Sequence, residues 1–134
     1  MILDSSVILS ILMKEPDYQK HLDRLLHADY LGVSTGTLLE TAIVCVNRFG
    51  PVGLSYLERF VHLVGATEIP FGSEHWREAA EAFVSYGKGR HPAALNFGDC
   101  MSYAAARLAE QELVYIGTDF SKTDKAGENP LDPT

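Results

Sequence analysis

Apolar residues fall into short runs that alternate with longer stretches of helical spacing. Four runs are too short for helices and end at turn-forming or polar residues, which is typical of strands: 2–3, 30–33, 67–69 and 113–117. Stretches with apolar residues three and four positions apart predict helices at 7–13, 38–48 and 54–64, and after Pro16, Ser73 and Asp99. Short strands that alternate with helices predict an α/β fold, with a parallel sheet covered on both faces.

The helical spacing also predicts which side chains are buried. The helix at 38–48 carries an apolar stripe of Leu39, Ile43 and Val46. The helix after Ser73 carries a stripe of Trp76, Ala79, Ala80 and Phe83. Because such stripes normally face the core, we predict that both are buried.

Length and composition narrow the classes of protein. A chain of 134 residues predicts one domain over 1–134, with a polar tail from about residue 122 that is partly disordered. The chain has 2 cysteines, in apolar helical patterns, which favours buried free thiols over a zinc site. No apolar run is long enough for a membrane span, and the first residues lack the basic region of a signal peptide, so we expect a cytoplasmic protein. The net charge of −7 argues against a broad nucleic-acid-binding face and fits a concentrated acidic site.

Four of the 18 acidic residues do not fit a solvated helix face. Asp4 and Asp119 each follow a predicted strand, Glu40 lies on a mostly apolar helix, and Asp99 begins a helix beside Asn96. Ligands of open parallel sheets bind at the carboxyl ends of strands, which is where Asp4 and Asp119 are predicted to lie.

Each of these acids also has a purely structural interpretation. Asp4 and Asp99 could cap helices, Asp119 could form an Asx-turn, and Glu40 could pair with Arg48 or Lys20. A single shared site would explain the positions of all four acids, whereas the structural interpretation needs a separate explanation for each. Carboxylates gathered at one edge repel each other unless a cation lies among them, and oxygen ligands without His or Cys select Mg²⁺, with Mn²⁺ as a substitute.

Polar and basic residues lie near these acids in the sequence. Ser6, Asn96 and Thr118 are candidates to orient water or the carboxylates. Lys88 and Arg90, in the Gly- and Pro-containing loop before Asp99, are candidates to bind the phosphates of a nucleic-acid backbone, although solvated loop charges are the simpler interpretation of them. The five histidines lack a partner spacing for a catalytic base.

These motifs together resemble the PIN-domain ribonucleases, and closely the VapC toxins of bacterial toxin–antitoxin pairs. The resemblance rests on the opening Ile2-Leu3-Asp4-Ser5-Ser6, the helical Glu40, the segment 87–100, and Gly117-Thr118-Asp119-Phe120, and it covers essentially the whole chain. Thr123-Asp124 also fits, but the residues after it depart from the family pattern of a short strand, which puts a role for Asp124 at the site in doubt.

The resemblance implies an α/β/α sandwich and Mg²⁺- or Mn²⁺-dependent endonucleolytic cleavage of RNA. It implies that Asp4, Glu40, Asp99 and Asp119 form the catalytic, metal-binding quartet, with Asp4 and Asp99 as the direct ligands. It also implies a homodimer and a cognate VapB-type antitoxin. Two alternatives stay open: a catalytically silent PIN scaffold that only binds its antitoxin, and a receiver-like phosphoacceptor domain.

Overall fold

The computed structural model describes residues 1–124, and the predicted tail beyond Asp124 lies outside the described residues. No helix in this part of the chain is long and apolar enough to cross a membrane. The elements, in chain order, are β1 (Ile2–Leu3), α1 (Ser5–Leu12), α2 (Tyr18–Leu26), β2 (Gly32–Ser34), α3 (Thr35–Phe49), α4 (Gly53–Val64), β3 (Thr67–Ile69), α5 (Ser73–Tyr86), α6 (Phe97–Ala109) and β4 (Leu113–Val114).

The four strands form one parallel sheet in the order β3-β2-β1-β4. Ile2 of β1 is in register with Gly32 on one side and with Leu113 on the other. The chain builds outward from β1 through β2 to β3 and then returns to the opposite side of β1 with β4. The winding therefore reverses at β1, and such a reversal opens a crevice at the carboxyl ends of the strands.

Helices cover both faces of the sheet. Successive residues of a strand point to opposite faces, so each strand contributes side chains to two buried clusters. Ile2 and Leu113 belong to a buried cluster with residues of α5 and α6. Leu3 and Val114 belong to a second cluster with residues of α1, α2 and α4. The predicted α/β/α sandwich around a parallel sheet of short strands is confirmed.

Some element bounds and buried faces differ from the predictions. The strand predicted at 30–33 is Gly32–Ser34, and the one predicted at 113–117 ends at Val114. The helix predicted at 38–48 begins earlier, at Thr35, because the side chain of Ser34 accepts a hydrogen bond from the Gly36 N–H and caps it.

The predicted burial of the two apolar stripes is correct at Ala79 and half met at Val46, and it is wrong at the other positions. Leu39 and Ile43 are 64% and 54% exposed, while α3 turns Thr37, Thr41 and Cys45 inward. The Thr41 hydroxyl is satisfied in the interior because it donates to the Thr37 carbonyl at 2.7 Å. On α5, Ala79 and Ala82 are buried, while Trp76, Ala80 and Phe83 face outward.

Candidate active site

Asp4 lies directly after β1 and caps helix α1. Its Oδ2 accepts hydrogen bonds from the Ser6 N–H at 3.1 Å and the Ser6 hydroxyl at 2.6 Å. Its Oδ1 accepts from the Ser102 hydroxyl at 2.7 Å. The residue is only 3% exposed, so three hydrogen bonds fix the direction of a buried carboxylate. The predicted contact between Ser6 and the acids is thus present, and the capping interpretation of Asp4 is also correct.

Asp99 occupies the first turn of α6 and forms a capping box with Asn96. The Asn96 N–H donates to Asp99 Oδ2 at 3.0 Å, and the Asp99 N–H donates to Asn96 Oδ1 at 2.9 Å. Asp99 is 7% exposed. Asn96 is therefore the residue that holds Asp99, as the sequence predicted.

Glu40 projects from α3 toward the start of α6. A methyl group at Gly98 would collide with the Glu40 carboxylate, so only glycine leaves room for this approach. Burial raises the pKa of Glu40, the Ser5 hydroxyl lowers it by hydrogen bonding, and the charge of Asp4 raises it again. Within residues 1–124 Glu40 forms no ion pair, so the predicted alternative of a bridge to Lys20 or Arg48 is wrong; Lys20 lies beside Asp17 at 3.7 Å.

Asp119 is more exposed than the other three acids and lies in the turn that follows β4. Its neighbour Phe120 is fully buried and packs edge-on against Tyr115, with ring centroids 5.1 Å apart, which anchors the turn. Thr118 is exposed, and its carbonyl accepts hydrogen bonds from the backbone and hydroxyl of Ser121. The described contacts of Thr118 are therefore within the turn and not with the other acids.

The other three acids act electrostatically on Asp99. Burial raises the pKa of Asp99, the hydrogen bond from the Asn96 backbone lowers it, and the charges of Asp119, Asp4 and Glu40 raise it in turn, to about 7. The four predicted acids therefore lie near enough to interact with one another around the start of α6.

The donor set fits a divalent cation. Glu40 Oε1 is buried and has no hydrogen-bond partner within the described residues, and burial, together with the neighbouring acids, disfavours the anionic form of Asp99. A cation would relieve both, and carboxylate and hydroxyl oxygens are what Mg²⁺ and Mn²⁺ prefer. Across residues 1–124, no three Asp, Glu, His or Cys side chains lie close enough together to hold a metal ion. Mg²⁺ is usually held by one or two carboxylates together with several waters.

Three contributors to this site were not predicted. Ser102 is fully buried, donates to Asp4, and lies 3.1 Å from the Thr37 hydroxyl. Gly98 makes room for Glu40, and Ser5 bonds to it. The position of Ser102 could have been predicted from the sequence. Residues three apart on a helix share a face, and Ser102 follows Asp99 at that spacing.

The basic loop runs from Gly87 to Asn96 and is tied down at both ends. Gly87 and Leu95 form an isolated parallel bridge, and the Lys88 N–H donates to the Leu95 carbonyl at 2.9 Å. Lys88 and Arg90 are exposed, and the Arg90 guanidinium lies 5.9 Å from the centre of the Phe83 ring. The loop therefore presents two cations on the surface beside α6, although neither contacts the acids directly.

An acidic crevice at the reversal of a parallel α/β sheet defines a recognisable class of domain. Residues 1–126 match the family model of the PIN domain. The chain is 40% identical over 125 residues to ribonuclease VapC36 of Mycobacterium tuberculosis, covering 92% of this chain and 90% of that protein. The chain therefore belongs to the PIN-domain family, and its relatives include VapC ribonucleases.

Solved structures agree with this fold. The crystal structure of VapC20 from Mycobacterium tuberculosis, a toxin described as cleaving the sarcin–ricin loop, superposes with a TM-score of 0.77 at 17% identity over 98% of both chains. A toxin–antitoxin complex from Klebsiella pneumoniae gives a TM-score of 0.69 at 14% identity over 92% of both chains. The receiver-like alternative is left without support.

Proposed function

We propose that the protein is a divalent-metal-dependent endoribonuclease and the toxin of a toxin–antitoxin pair. The observation that carries this proposal is the gathering of Asp4, Glu40 and Asp119 around Asp99, in a chain that belongs to the PIN-domain family and has VapC ribonucleases as relatives. A bound Mg²⁺ or Mn²⁺ supplies an activated water and polarises the phosphoryl oxygen of an RNA phosphodiester.

The protein's own residues divide the work. Asp4 and Asp99 would hold the cation, because hydrogen bonds already fix both carboxylates. Glu40 and Asp119 complete the anionic site. Ser6 and Asn96 keep the carboxylates of Asp4 and Asp99 in place through hydrogen bonds, and the exposed Thr118, next to Asp119, would orient water.

The exposed cations of the basic loop hold the substrate. Lys88 and Arg90 lie on the surface next to α6, where they attract the phosphate backbone of RNA into a site that would otherwise repel it. The net charge of −7 makes this local attraction necessary.

Protein partners follow from the same family membership. We infer a VapB-type antitoxin that blocks the site, which the fold likeness to a toxin–antitoxin complex supports. We also infer a homodimer, supported by the exposed Leu39 and Ile43, which lie one turn apart on α3 and give a second copy an apolar surface to cover. The cytoplasmic location expected from the sequence stays a prediction.

The central test compares wild type with Asp99→Asn, which keeps the size of the side chain and removes its charge. Purified protein is incubated with RNA in Mg²⁺, Mn²⁺ or EDTA, and new RNA 5′ ends are sequenced after brief expression in cells. We expect discrete new ends with wild type only, and cleavage in vitro only with metal. Glu81→Gln, an exposed acid on α5, is the matched control and should cleave like wild type.

A second readout does not depend on cleavage. Calorimetric titration with Mn²⁺ should show binding to wild type and to Glu81→Gln, and much weaker binding to Asp99→Asn. If wild type binds no metal and cuts no RNA while still binding its antitoxin, the protein is the silent scaffold.

A further inference from the structure

A chain of buried hydroxyl groups leads from helix α3 through α6 to Asp4. The Ser102 hydroxyl donates to Asp4 Oδ1 at 2.7 Å, and the hydroxyl oxygens of Ser102 and Thr37 lie 3.1 Å apart. Thr37 and Ser102 are both fully buried, at 0% exposure. Because the two residues are 65 positions apart in the sequence, their contact exists only through the packing of α3 against α6.

The direction of each hydrogen bond in this chain follows from the number of hydrogens available. A hydroxyl group has one hydrogen, and an ionised carboxylate has none. Ser102 uses its single hydrogen in the bond to Asp4, so its oxygen can only accept from Thr37. Thr37 is therefore the donor at the far end, and both hydroxyl hydrogens point toward the carboxylate. Hydrogen bonds aligned in this way polarise and strengthen one another.

The Asp4 carboxylate has few lone pairs left for another partner. Its Oδ2 accepts from the N–H and from the hydroxyl of Ser6, which occupies both lone pairs of that oxygen. Its Oδ1 accepts, among the described residues, from Ser102 alone, which leaves one lone pair for a cation. The position of the Ser102 hydroxyl therefore decides which lone pair of Oδ1 stays free.

Each of the two hydroxyl groups on Asp4 is held by a further donor. The Ser6 hydroxyl accepts from the Ile116 N–H at 3.0 Å, which is a backbone group fixed at the end of β4. The Ser102 hydroxyl accepts from the Thr37 side chain. Because a serine hydroxyl can rotate, the donor behind it determines where its own hydrogen points. Thr37 thus does for Ser102 what the Ile116 backbone does for Ser6.

Close packing of α3 against α6 brings these hydroxyl groups together. A methyl group at Gly36 would collide with Met101, and one at Gly98 would collide with the Glu40 carboxylate, so the two helices interlock around the contact. Neither of these contacts involves the hydroxyl chain. Removal of one hydroxyl should therefore leave the helices in place and act on the site only through the lost hydrogen bond.

We propose that Thr37 is a positioning residue, which donates to Ser102 so that Ser102 holds Asp4 Oδ1 with one lone pair free for a cation. The inference rests on the proposed metal-dependent function, and it adds a buried residue of α3 that touches neither the substrate nor the metal. The effect of Thr37 on the site passes through Ser102.

Calorimetric titration with Mn²⁺ measures the effect of Thr37 on metal binding. Thr37→Val keeps the shape of the side chain without its hydroxyl and should weaken Mn²⁺ binding by about tenfold. Thr37→Ser keeps the hydroxyl and should bind Mn²⁺ like wild type. Thr41→Val is the matched control, because Thr41 is equally buried on α3 and its hydroxyl donates to the Thr37 carbonyl and not toward Asp4. Thermal melts verify that the variants fold, and Thr37→Ala takes the place of Thr37→Val if that variant does not.

The double variant Thr37→Val/Ser102→Ala shows whether Thr37 acts through Ser102. Without the Ser102 hydroxyl, Thr37 has no route to Asp4, so the double variant should bind Mn²⁺ no more weakly than Ser102→Ala alone. Losses of affinity that multiply in the double variant would overturn the proposal. Equal weakening in Thr37→Ser and Thr37→Val would overturn it as well, since the hydroxyl would then be irrelevant.

The carboxyl carbon of Asp4 reports the same hydrogen bonds in protein without metal. In EDTA, the NMR signal of this carbon should shift in Ser102→Ala, and it should shift in the same direction by a smaller amount in Thr37→Val. The signal should keep its position in Thr37→Ser and Thr41→Val. If Thr37→Val leaves the signal unchanged, the proposal fails whatever the metal affinities are.

The two measurements separate this proposal from the proposed function. If wild type binds no Mn²⁺ while the Asp4 signal shifts as expected, the metal-dependent function fails and the positioning of Asp4 by Thr37 stands. If wild type binds Mn²⁺ and Thr37→Val binds it equally well, the proposal fails and the metal-dependent function stands.

Discussion

The four acids of the site fall into an inner and an outer pair with different surroundings. Asp4 and Asp99 are 3% and 7% exposed, and both cap helices through backbone hydrogen bonds. Glu40 and Asp119 are less buried, and Glu40 Oε1 has no partner within residues 1–124. The inner pair is therefore fixed by hydrogen bonds at the N-termini of α1 and α6, whereas no helix cap fixes the carboxylates of the outer pair.

This difference shows how one carboxylate serves both folding and chemistry. Capping fixes the position of Asp4 and Asp99 before any metal arrives, which is the preorganisation that a reactive site requires. The same fixation forces negative charges together. The structure tolerates this because Asp99 can hold a proton, as its pKa of about 7 indicates.

The largest expected effect is on the rate of RNA cleavage, when one acid at a time in each pair is replaced by its neutral amide. Asp4→Asn should reduce the rate of RNA cleavage by about a hundredfold or more, because it removes charge from a fixed ligand. Glu40→Gln and Asp119→Asn should each cost about tenfold. Single-turnover cleavage at saturating Mg²⁺ measures all three, with Glu81→Gln as the matched control. Equal losses in all three variants would contradict the division into pairs.

The next effect concerns stability in the absence of metal. The pKa of Asp99 is about 7 in the folded protein and 3.8 as the ordinary value, so the folded state holds the proton more tightly. The stabilisation from that proton is complete below the ordinary value and is lost as pH rises through about 7. Asp99→Asn does not lose it. In EDTA, Asp99→Asn should therefore gain Tm over wild type as pH rises from about 4 to about 7, and the gap should then stay constant.

The same melts contain their own check. Added Mg²⁺ should raise the Tm of wild type at alkaline pH by more than that of Asp99→Asn, because only wild type has the charge to neutralise. A gap that does not change with pH would mean that neither burial nor the other acids raise the pKa of Asp99 in the folded protein.

A smaller effect is expected from the hydrogen bond that supports the inner pair. Ser102→Ala removes the hydroxyl that donates to Asp4 Oδ1 at 2.7 Å. The variant should lose about 10- to 100-fold in Mg²⁺ affinity or activity, without loss of the fold. Ser85→Ala, on the exposed side of α5, is the control. Unchanged metal affinity in Ser102→Ala would show that the cap alone orients Asp4.

The smallest effect should come from the turn that carries Asp119. Asp124 accepts from the Tyr103 hydroxyl at 2.6 Å and from Arg107 at 3.0 Å, which ties the turn to α6. Asp124 thus contacts α6 and not the acids, and Asp124→Asn should reduce cleavage only a few-fold, because this ion pair is half exposed and Phe120 still anchors the turn. Glu78→Gln breaks the other ion pair of Arg107 and serves as the control. A loss as large as that of Ser102→Ala would mean that the outer pair is as tightly held as the inner one.

Most of the fold could be predicted from the sequence, because the residues that end strands and cap helices form local patterns. An apolar pair that ends at an acid was enough to predict β1, and the positions of Asp4 and Asp119 after strands predicted their shared edge. The buried faces of α3 and α5 could not be predicted by the same route. Leu39 and Trp76 have core-like spacing, but nothing in one chain says which molecule covers them.

The residues that support the site could be identified only from the folded structure. Gly98 matters only because Glu40 approaches it from another helix, and no local pattern encodes that distance. Ser102 could have been predicted from helical spacing, since it follows Asp99 by about one turn and so lies on the same face of α6. Local sequence patterns therefore identified the charged residues, whereas the residues that position them are visible only in the packed structure.

The pairing of β1 with β4 also sets the order in which the site can assemble during synthesis of the chain. Ile2 and Leu3 are made well before their partners Leu113 and Val114, and Asp119 comes later still. A chain that stops before β4 lacks both the strand whose Val114 carbonyl accepts from the Asp4 N–H and one of the four acids. The four acids therefore come together only after the chain has been made through β4 and the turn that follows it.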